Sequence, residues 1–200
     1  MEFTKSQTRL NLARAFAGES QARQRYTIYA RAARKEHQEY LARLLEETAA
    51  NEQVHARLFL ELLQKHGGTG DNIDLKAGYP FQIGSTLENL KAAAEGEGQE
   101  FSDVYPAFAQ TAEEEGFADA ARLFRQIAPI EGLHRNVFRQ AEQQLREETL
   151  YQKQQPVVWR CANCGYSVQA NGAPERCPVC SEEQGWFLGD INQKQLPDSQ

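Results

Sequence analysis

The feature that most restricts how this chain can fold is a repeat within its first 150 residues. NEQVHARLF at 51–59 returns as IEGLHRNVF at 130–138, and AGESQAR at 17–23 returns as EGEGQEF at 95–101. Glu52 follows Glu19 by 33 residues and Glu131 follows Glu97 by 34, so each half holds one Glu and then a Glu-x-x-His. This part is rich in Ala, Glu, Arg, Gln and Leu, all good helix formers. Its apolar spacing predicts helices over about 4–34, 37–65, 85–114 and 117–148. Two helical hairpins in approximate two-fold symmetry make a four-helix bundle. HGGTGDNIDLKAGYP predicts a long crossover between the second and third helices, of the kind that carries function or helps chains dimerise. Gly116 predicts a tight turn between the third and fourth.

The inward seams contain residues that an apolar core rejects. In the second helix Leu41, Leu45, Thr48, Glu52, His55, Phe59 and Leu62 step by alternating fours and threes. Ala120, Phe124, Ile127, Glu131, His134, Phe138, Ala141 and Leu145 do the same in the fourth. The first helix adds Leu12, Ala15, Glu19, Ala22 and Tyr26, and the third Leu90, Ala93, Glu97, Glu100 and Val104. Five Glu and two His therefore face one interior, and no Lys or Arg shares the seam to neutralise them. Each unpaired buried carboxylate costs several kcal/mol. A pair of divalent or trivalent metal ions removes that cost. Glu and His three apart lie on one helix face. One Glu from each of two helices, with Glu-x-x-His from each of the others, is the ligand set of ferritin-like di-iron bundles. A lone seam His would instead read as a hydrogen-bonded core residue. His37 and His66, near helix ends, read as surface or capping residues, and EEE at 113–115 as a solvated helix end.

After YQKQQP, read as a linker, the composition changes to short β-prone runs, turn residues and aromatics. The expected domains are 1–150, a mainly α four-helix bundle, and 156–192, a small module with short β-strands. That module is too short to fold on its apolar core alone. Cys161, Cys164, Cys177 and Cys180 form Cys-x-x-Cys, twelve residues, Cys-x-x-Cys, which places four thiolates around one tetrahedral ion. Without an export signal, such clustering favours a metal over two disulfides. Spacing alone leaves iron and a zinc ribbon both open. Trp159, Tyr166, Trp186 and Phe187 supply a small aromatic core. No apolar run reaches membrane-span length and none near Met1 resembles a signal peptide, so the chain is expected in the cytoplasm and off the membrane. A net charge of −6 argues against nucleic acid as partner.

The segments AFAGESQARQRY, NEQVHARLF, GEGQEFSDVYPAFA, IEGLHRNVF and CANCGY with CPVC resemble the rubrerythrins over nearly the whole chain. The resemblance implies a ferritin-like di-iron bundle followed by a rubredoxin-like domain. It implies a dimeric non-haem peroxidase that reduces hydrogen peroxide in oxidative-stress defence, with two Fe ions in the bundle and one Fe in the four-cysteine site. A redox donor such as rubredoxin or an NAD(P)H-dependent reductase would supply the electrons. Carried over by position, Glu19 and Glu97 are terminal ligands, Glu52 and Glu131 bridge, and His134 binds the second iron. Glu100 and His55 alternate on the first, Glu100 when oxidised and His55 when reduced. Tyr26 and Tyr105 match tyrosines beside the irons, although each residue alone also reads as a core Tyr with a bonded hydroxyl.

The residues themselves support an asymmetric site. Ala22 stands where the second half has Glu100, so the extra carboxylate occurs once. Pro106 and Pro129 each remove a helical hydrogen bond and are expected to bend their helices, the latter close to Glu131, Gly132 and His134. Two other functions fit parts of the pattern. One is a ferritin-type ferroxidase without a dedicated electron donor. The other is a scaffold bundle whose zinc ribbon engages a partner.

Overall fold

A computed structural model describes residues 1–67, 70 and 72–189. Helix α1 (Gln7–Lys35) follows a single 3-10 turn at Phe3–Lys5. Ser6 opens it by accepting the Arg9 N–H at 3.1 Å. Glu115, more than 100 residues further along the chain, accepts the Gln7 and Thr8 N–H groups at 2.9 and 2.8 Å. A carboxylate thus satisfies first-turn donors where the sequence suggested only a solvated helix end. Helix α2 (Glu39–Gly67) leaves a corner in which His37 has φ 60. The two helices pack against each other along their lengths.

Residues 72–85 then run irregularly along α1. The Tyr79 hydroxyl donates to Arg14 O at 3.3 Å, Gln21 Nε2 to Pro80 O at 2.5 Å, and the Tyr29 hydroxyl to Gln82 O at 2.9 Å. A capping box of Ser85 and Glu88 opens α3 (Thr86–Gln99). The helix expected over 85–114 is divided here. A π-helical turn covers Glu100–Val104, and α4 spans Tyr105–Glu114. Pro106 cannot donate to the carbonyl of Ser102 and its ring crowds that turn, so the backbone widens just before it. Gly116, at φ 88, then lets Phe117 N–H reach back to Ala112 O at 2.8 Å and close the helix end. Helix α5 (Ala118–Arg146) runs through Pro129 without a break and packs along α3 and α4.

The tail holds a three-stranded antiparallel sheet in the order β2-β1-β3, with β1 at Gln152–Cys161, β2 at Ser167–Gly172 and β3 at Phe187–Leu188. The expected linker is therefore mostly strand. Its Pro156 falls where the pairing of β1 with β2 shifts register, between Gln152 and Val157, which suits a residue with no N–H. The module rests on the α1–α2 corner of its own chain. Gly185 lies so close to the His37 carbonyl that a Cβ has no room there. His37 Nδ1 is 2.7 Å from Glu183 Oε2, and the Tyr151 hydroxyl donates to Gln38 Oε1 at 2.7 Å.

Inside the bundle, one apolar cluster gathers Tyr26, Tyr29, Leu41, Leu45, Leu90 and Phe138. A second gathers Leu12, Phe59, Tyr105, Phe124 and Ile127. Glu19, Glu52, His55, Glu97, Glu131 and His134 are buried with them. Trp159, Cys161, Ala173, Cys177 and Phe187 form a separate small core in the tail. Among the described residues no helix is long and apolar enough to cross a membrane.

Candidate metal centre

Six of the seven seam residues converge into two sets of ligand atoms. Glu19, Glu52, His55 and Glu131 each place one such atom within 4.8 Å of the others, and Glu52, Glu97, Glu131 and His134 do likewise. Glu52 and Glu131 belong to both sets, so two ions held here would share them. The imidazoles face the shared carboxylates in parallel fashion. His55 Nδ1 is 2.9 Å from Glu52 Oε2 and 3.0 Å from Glu131 Oε1. His134 Nδ1 is 2.9 Å from Glu131 Oε2 and 3.1 Å from Glu52 Oε1.

Each outer carboxylate is fixed by a tyrosine from the other hairpin. The Tyr105 hydroxyl donates to Glu19 Oε1, and the Tyr26 hydroxyl donates to Glu97 Oε1. Both rings are buried. The sequence placed these tyrosines near the ligands but not across the two-fold, because a helical repeat carries no information about what faces it.

Burial drives the electrostatics. It raises Glu19 well above the usual carboxylate range, helped by repulsion from Glu100, Glu131 and Glu52. Burial also raises Glu97, to about 8, against a hydrogen bond to His134 that pulls it down. Although burial opposes it, Glu52 is drawn down to about 2 by hydrogen bonds from His134 and His55. Burial opposes the imidazoles too, yet Glu131 and Glu52 raise His55 to about 9, and Glu131, Glu52 and Glu97 raise His134 to about 12. The cluster thus gathers positive charge as protons, which metal cations can replace. The donor set itself fits metal. Glu19 Oε2 is buried without a hydrogen-bond partner, and Glu52 Oε1, Glu97 Oε2 and Glu131 Oε1 meet only an imidazole Nδ1, at 3.1, 3.7 and 3.0 Å. Such hard oxygens, with imidazole nitrogens between them, suit a pair of iron ions.

Glu100 lies outside both sets. A small cavity of about 250 Å³ is lined by it together with Arg14, Gln21, Arg25 and Tyr79. Its Oε1 lies 3.8 Å from where a Cβ on Gly18 would sit, next to Glu19. Burial and the charges of Glu97, Glu131 and Glu52 raise its pKa well above the usual range, and Arg25 offsets this only in part.

Three features escaped the sequence reading. Asn51 Nδ2 stands 3.3 Å from His134 Nε2, a contact that a mismatch between the repeats would have flagged. Gly132 makes room for Phe101 of the π-helical turn, because a Cβ there would come within 3.0 Å of the ring. The paired glycine and widened turn become visible only once α3 and α5 are side by side. His66 Nε2 pairs with Asp119 Oδ1 at 2.8 Å and so joins α2 to α5, while His37 is a surface residue.

In the tail all four cysteines are free, and their sulfurs lie within 4.8 Å of one another. The backbone N–H of Tyr166 bonds to the Cys164 sulfur and that of Glu182 to Cys180. Each donor comes two residues after its cysteine, so the two Cys-x-x-Cys loops are built alike. Donors of this kind stabilise thiolates and tune a bound metal.

The comparisons with known proteins cover both parts. The rubrerythrin family model matches residues 11–142, and the model for the rubrerythrin rubredoxin-like domain matches 159–187. The chain is 43% identical over 183 residues to a rubrerythrin of Porphyromonas gingivalis, covering 91% of this chain and 89% of that protein. A structure of partially reduced nigerythrin superposes with a TM-score of 0.63 at 30% identity, covering 94% of this chain and 93% of that one. Bacterioferritin of Desulfovibrio desulfuricans, described with a diiron site, shares the bundle fold with a TM-score of 0.57 at 19% identity, over 71% of this chain and 85% of that one. By these matches the chain belongs to the rubrerythrin family, with a di-iron carboxylate site in a ferritin-like bundle and a rubredoxin-like four-cysteine site behind it.

Proposed function

We propose that this protein is a peroxidase that reduces hydrogen peroxide to water, with electrons delivered through its four-cysteine module. The observation that carries the reading is the presence on one chain of a two-ion carboxylate site and a four-sulfur site. Iron storage has no use for the second. When bound, an iron pair would polarise the O–O bond and supply two electrons, which a four-sulfur iron would restore singly, so that one peroxide, two electrons and two protons give two waters.

The chain's own residues select and prepare the substrate. The cavity beside Glu100 has room for a molecule of peroxide's size and sets Arg14, Gln21, Arg25 and Tyr79 among apolar neighbours such as Val104 and Phe108. Glu100, whose carboxyl is pushed well above the usual range by burial and by Glu97, Glu131 and Glu52, is the group there suited to donate a proton. Glu19 and Glu97 serve as outer ligands held in place by Tyr105 and Tyr26. Glu52 and Glu131 would hold both ions, and His134 would stay on one of them throughout. His55 and Glu100 would alternate on the other with redox state; it is His55 that faces the shared carboxylates in this structure.

Electron delivery calls for a second chain. The module rests at the α1–α2 corner, and His37 lies 18 residues along the chain from Glu19. At the rise of an α-helix that is roughly 27 Å. A homodimer in head-to-tail arrangement would bring one chain's module beside the other's bundle. An external redox donor such as rubredoxin or an NAD(P)H-dependent reductase would then reload the module.

Anaerobically reduced full-length protein mixed with stoichiometric peroxide in a stopped-flow spectrophotometer tests the reading. Return of ferric-thiolate colour much faster than with air is the expected result. Faster return with air would favour a ferroxidase. Metal analysis finding zinc alone would favour a structural ribbon.

A further inference from the structure

The repeat that relates the two hairpins is broken twice by charge, and both breaks fall in one cavity. AGESQARQR at 17–25 aligns with EGEGQEFSD at 95–103, so Gly18, Glu19 and Gln21 have Gly96, Glu97 and Gln99 as counterparts. Ala22, however, corresponds to Glu100, and Arg25 corresponds to Asp103. Glu100 and Arg25 line the same cavity of about 250 Å³, together with Gly18, Gly96 and the strap residues Tyr79 and Pro80. The arginine is held there. Gln21 Oε1 accepts its Nε–H at 2.8 Å, and Gln21 Nε2 donates to Pro80 O at 2.5 Å. Its Nη1 is buried, and its Nη2 lies 3.9 Å from where a Cβ on Gly96 would sit, one residue before Glu97. Burial and the charges of Glu97, Glu131 and Glu52 raise Glu100, and the charge of Arg25 opposes them without a hydrogen bond between the two heads. The cavity they share keeps room for a small molecule.

We propose that Arg25 is the anion-holding group of this cavity, and that it stabilises the negative charge that appears on a bound peroxide as the O–O bond breaks. A guanidinium suits the task because it stays charged and presents its N–H donors in a fixed fork. With Nε engaged by Gln21, the two Nη groups are the donors left to a bound oxygen. In the reduction proposed above, the O–O bond takes two electrons from the reduced iron pair, and the departing oxygen is negative until a proton reaches it. Arg25 holds that charge and Glu100 gives the proton, so the oxygen leaves as water. The carboxylate then formed on Glu100 has a cation beside it, which limits the cost of a buried charge. An acid in place of Arg25, as Asp103 is in the other half, would repel the same oxygen. The two departures from the repeat thus supply the proton and the counter-charge of one step.

The inference rests on peroxide as the substrate proposed above, and two measurements on iron-loaded full-length protein separate its failure from that of the reading. Anomalous diffraction from crystals soaked in bromide shows whether the cavity holds an anion. The wild type should place bromide beside the Arg25 guanidinium, Arg25→Lys should keep it, and Arg25→Gln should lose it. Stopped-flow single turnovers of the reduced protein, at matched iron content, then give a limiting rate and a half-saturating peroxide concentration. Arg25→Gln should lower the limiting rate about 100–1,000-fold and leave half-saturation unchanged, as for a donor used only in the transition state. Arg25→Lys should recover part of the rate, whereas a merely structural role would lower iron content or affect both variants alike. A wild-type cavity empty of bromide, a bromide peak indifferent to Arg25→Gln, or an unchanged limiting rate in Arg25→Gln would overturn the proposal. Wild-type protein that takes bromide at Arg25 but does not reduce peroxide would overturn the peroxidase reading and the peroxide assignment with it, leaving the anion site in place.

Discussion

The first hairpin, α1 with α2, and the second, α3 and α4 with α5, offer the metals the same core set in equivalent places. They differ in how the backbone reaches it. Helix α1 is unbroken through Glu19 and Tyr26, whereas the equivalent stretch of the second hairpin widens into the π-helical turn at Glu100–Val104. That turn carries Phe101 against Gly132, under the Arg135 guanidinium at 4.9 Å. The first hairpin has Gln53 where the second has Gly132. Symmetry therefore supplies a pair of carboxylates common to both ligand sets, and the departure from it leaves one further carboxylate, Glu100, beside them with only Ala22 as its counterpart. Two-fold copies of one hairpin would give two equivalent positions with no built-in direction of change.

Removing what the halves share should have the largest effect. Glu52→Ala deletes an oxygen donor common to both ligand sets, so iron analysis should find both bundle ions lost and peroxide turnover at background. The thiolate colour of the tail should persist. Glu131→Ala should behave identically, and one ion retained in either variant would break the equivalence of the centre. Glu100→Ala removes the unshared carboxylate. Both ions should stay while single-turnover peroxide reduction slows about 100-fold, in the range of a lost proton donor. Crystals of that variant should keep His55 inward in both oxidation states, and movement of His55 despite the missing carboxylate would detach the two events.

Smaller effects sharpen the comparison. In Gly132→Ala a Cβ meets the Phe101 ring at about 3.0 Å, and overpacking of this kind costs about 1–3 kcal/mol. Thermal unfolding should drop by about 3–8 °C for a chain of this length, whereas Gln53→Ala, at the exposed equivalent position, should stay within about 0.5 kcal/mol. Equal tolerance at both sites would mean that the π-helical turn yields freely. Asp119, in contrast, ties the halves together through Lys65 Nζ at 2.6 Å and His66 Nε2 at 2.8 Å. Burial opposes its ionisation, but these hydrogen bonds win and lower it from 3.8 to about 2. A depressed carboxylate stabilises the fold above its ordinary pKa and loses that contribution as pH falls through the folded value. Melting curves should place Asp119→Asn about 1–2 °C below wild type above pH 4, as expected for a solvent-screened pair worth less than about 1 kcal/mol, with the gap closing toward pH 2.

What the sequence determined by itself was whatever depends on local period and short spacing. A helix turns at a constant rate, so alternating steps of three and four place Glu19, Glu52, His55, Glu97, Glu131 and His134 on inner faces before any packing is known. Four cysteines at that spacing likewise specify a tetrahedral site. Partnerships across the bundle were decided by the tertiary structure alone. Tyr26 meets Glu97 at a separation of 71 residues, Tyr105 meets Glu19 at 86, and Asn51 reaches His134 at 83. Only tertiary packing decided that Glu100 lies beside the ligand sets rather than in them, and that YQKQQP runs on into a strand. Such contacts depend on the axial register and rotation of one helix against another, which the summed packing of many side chains sets and no single stretch of sequence encodes.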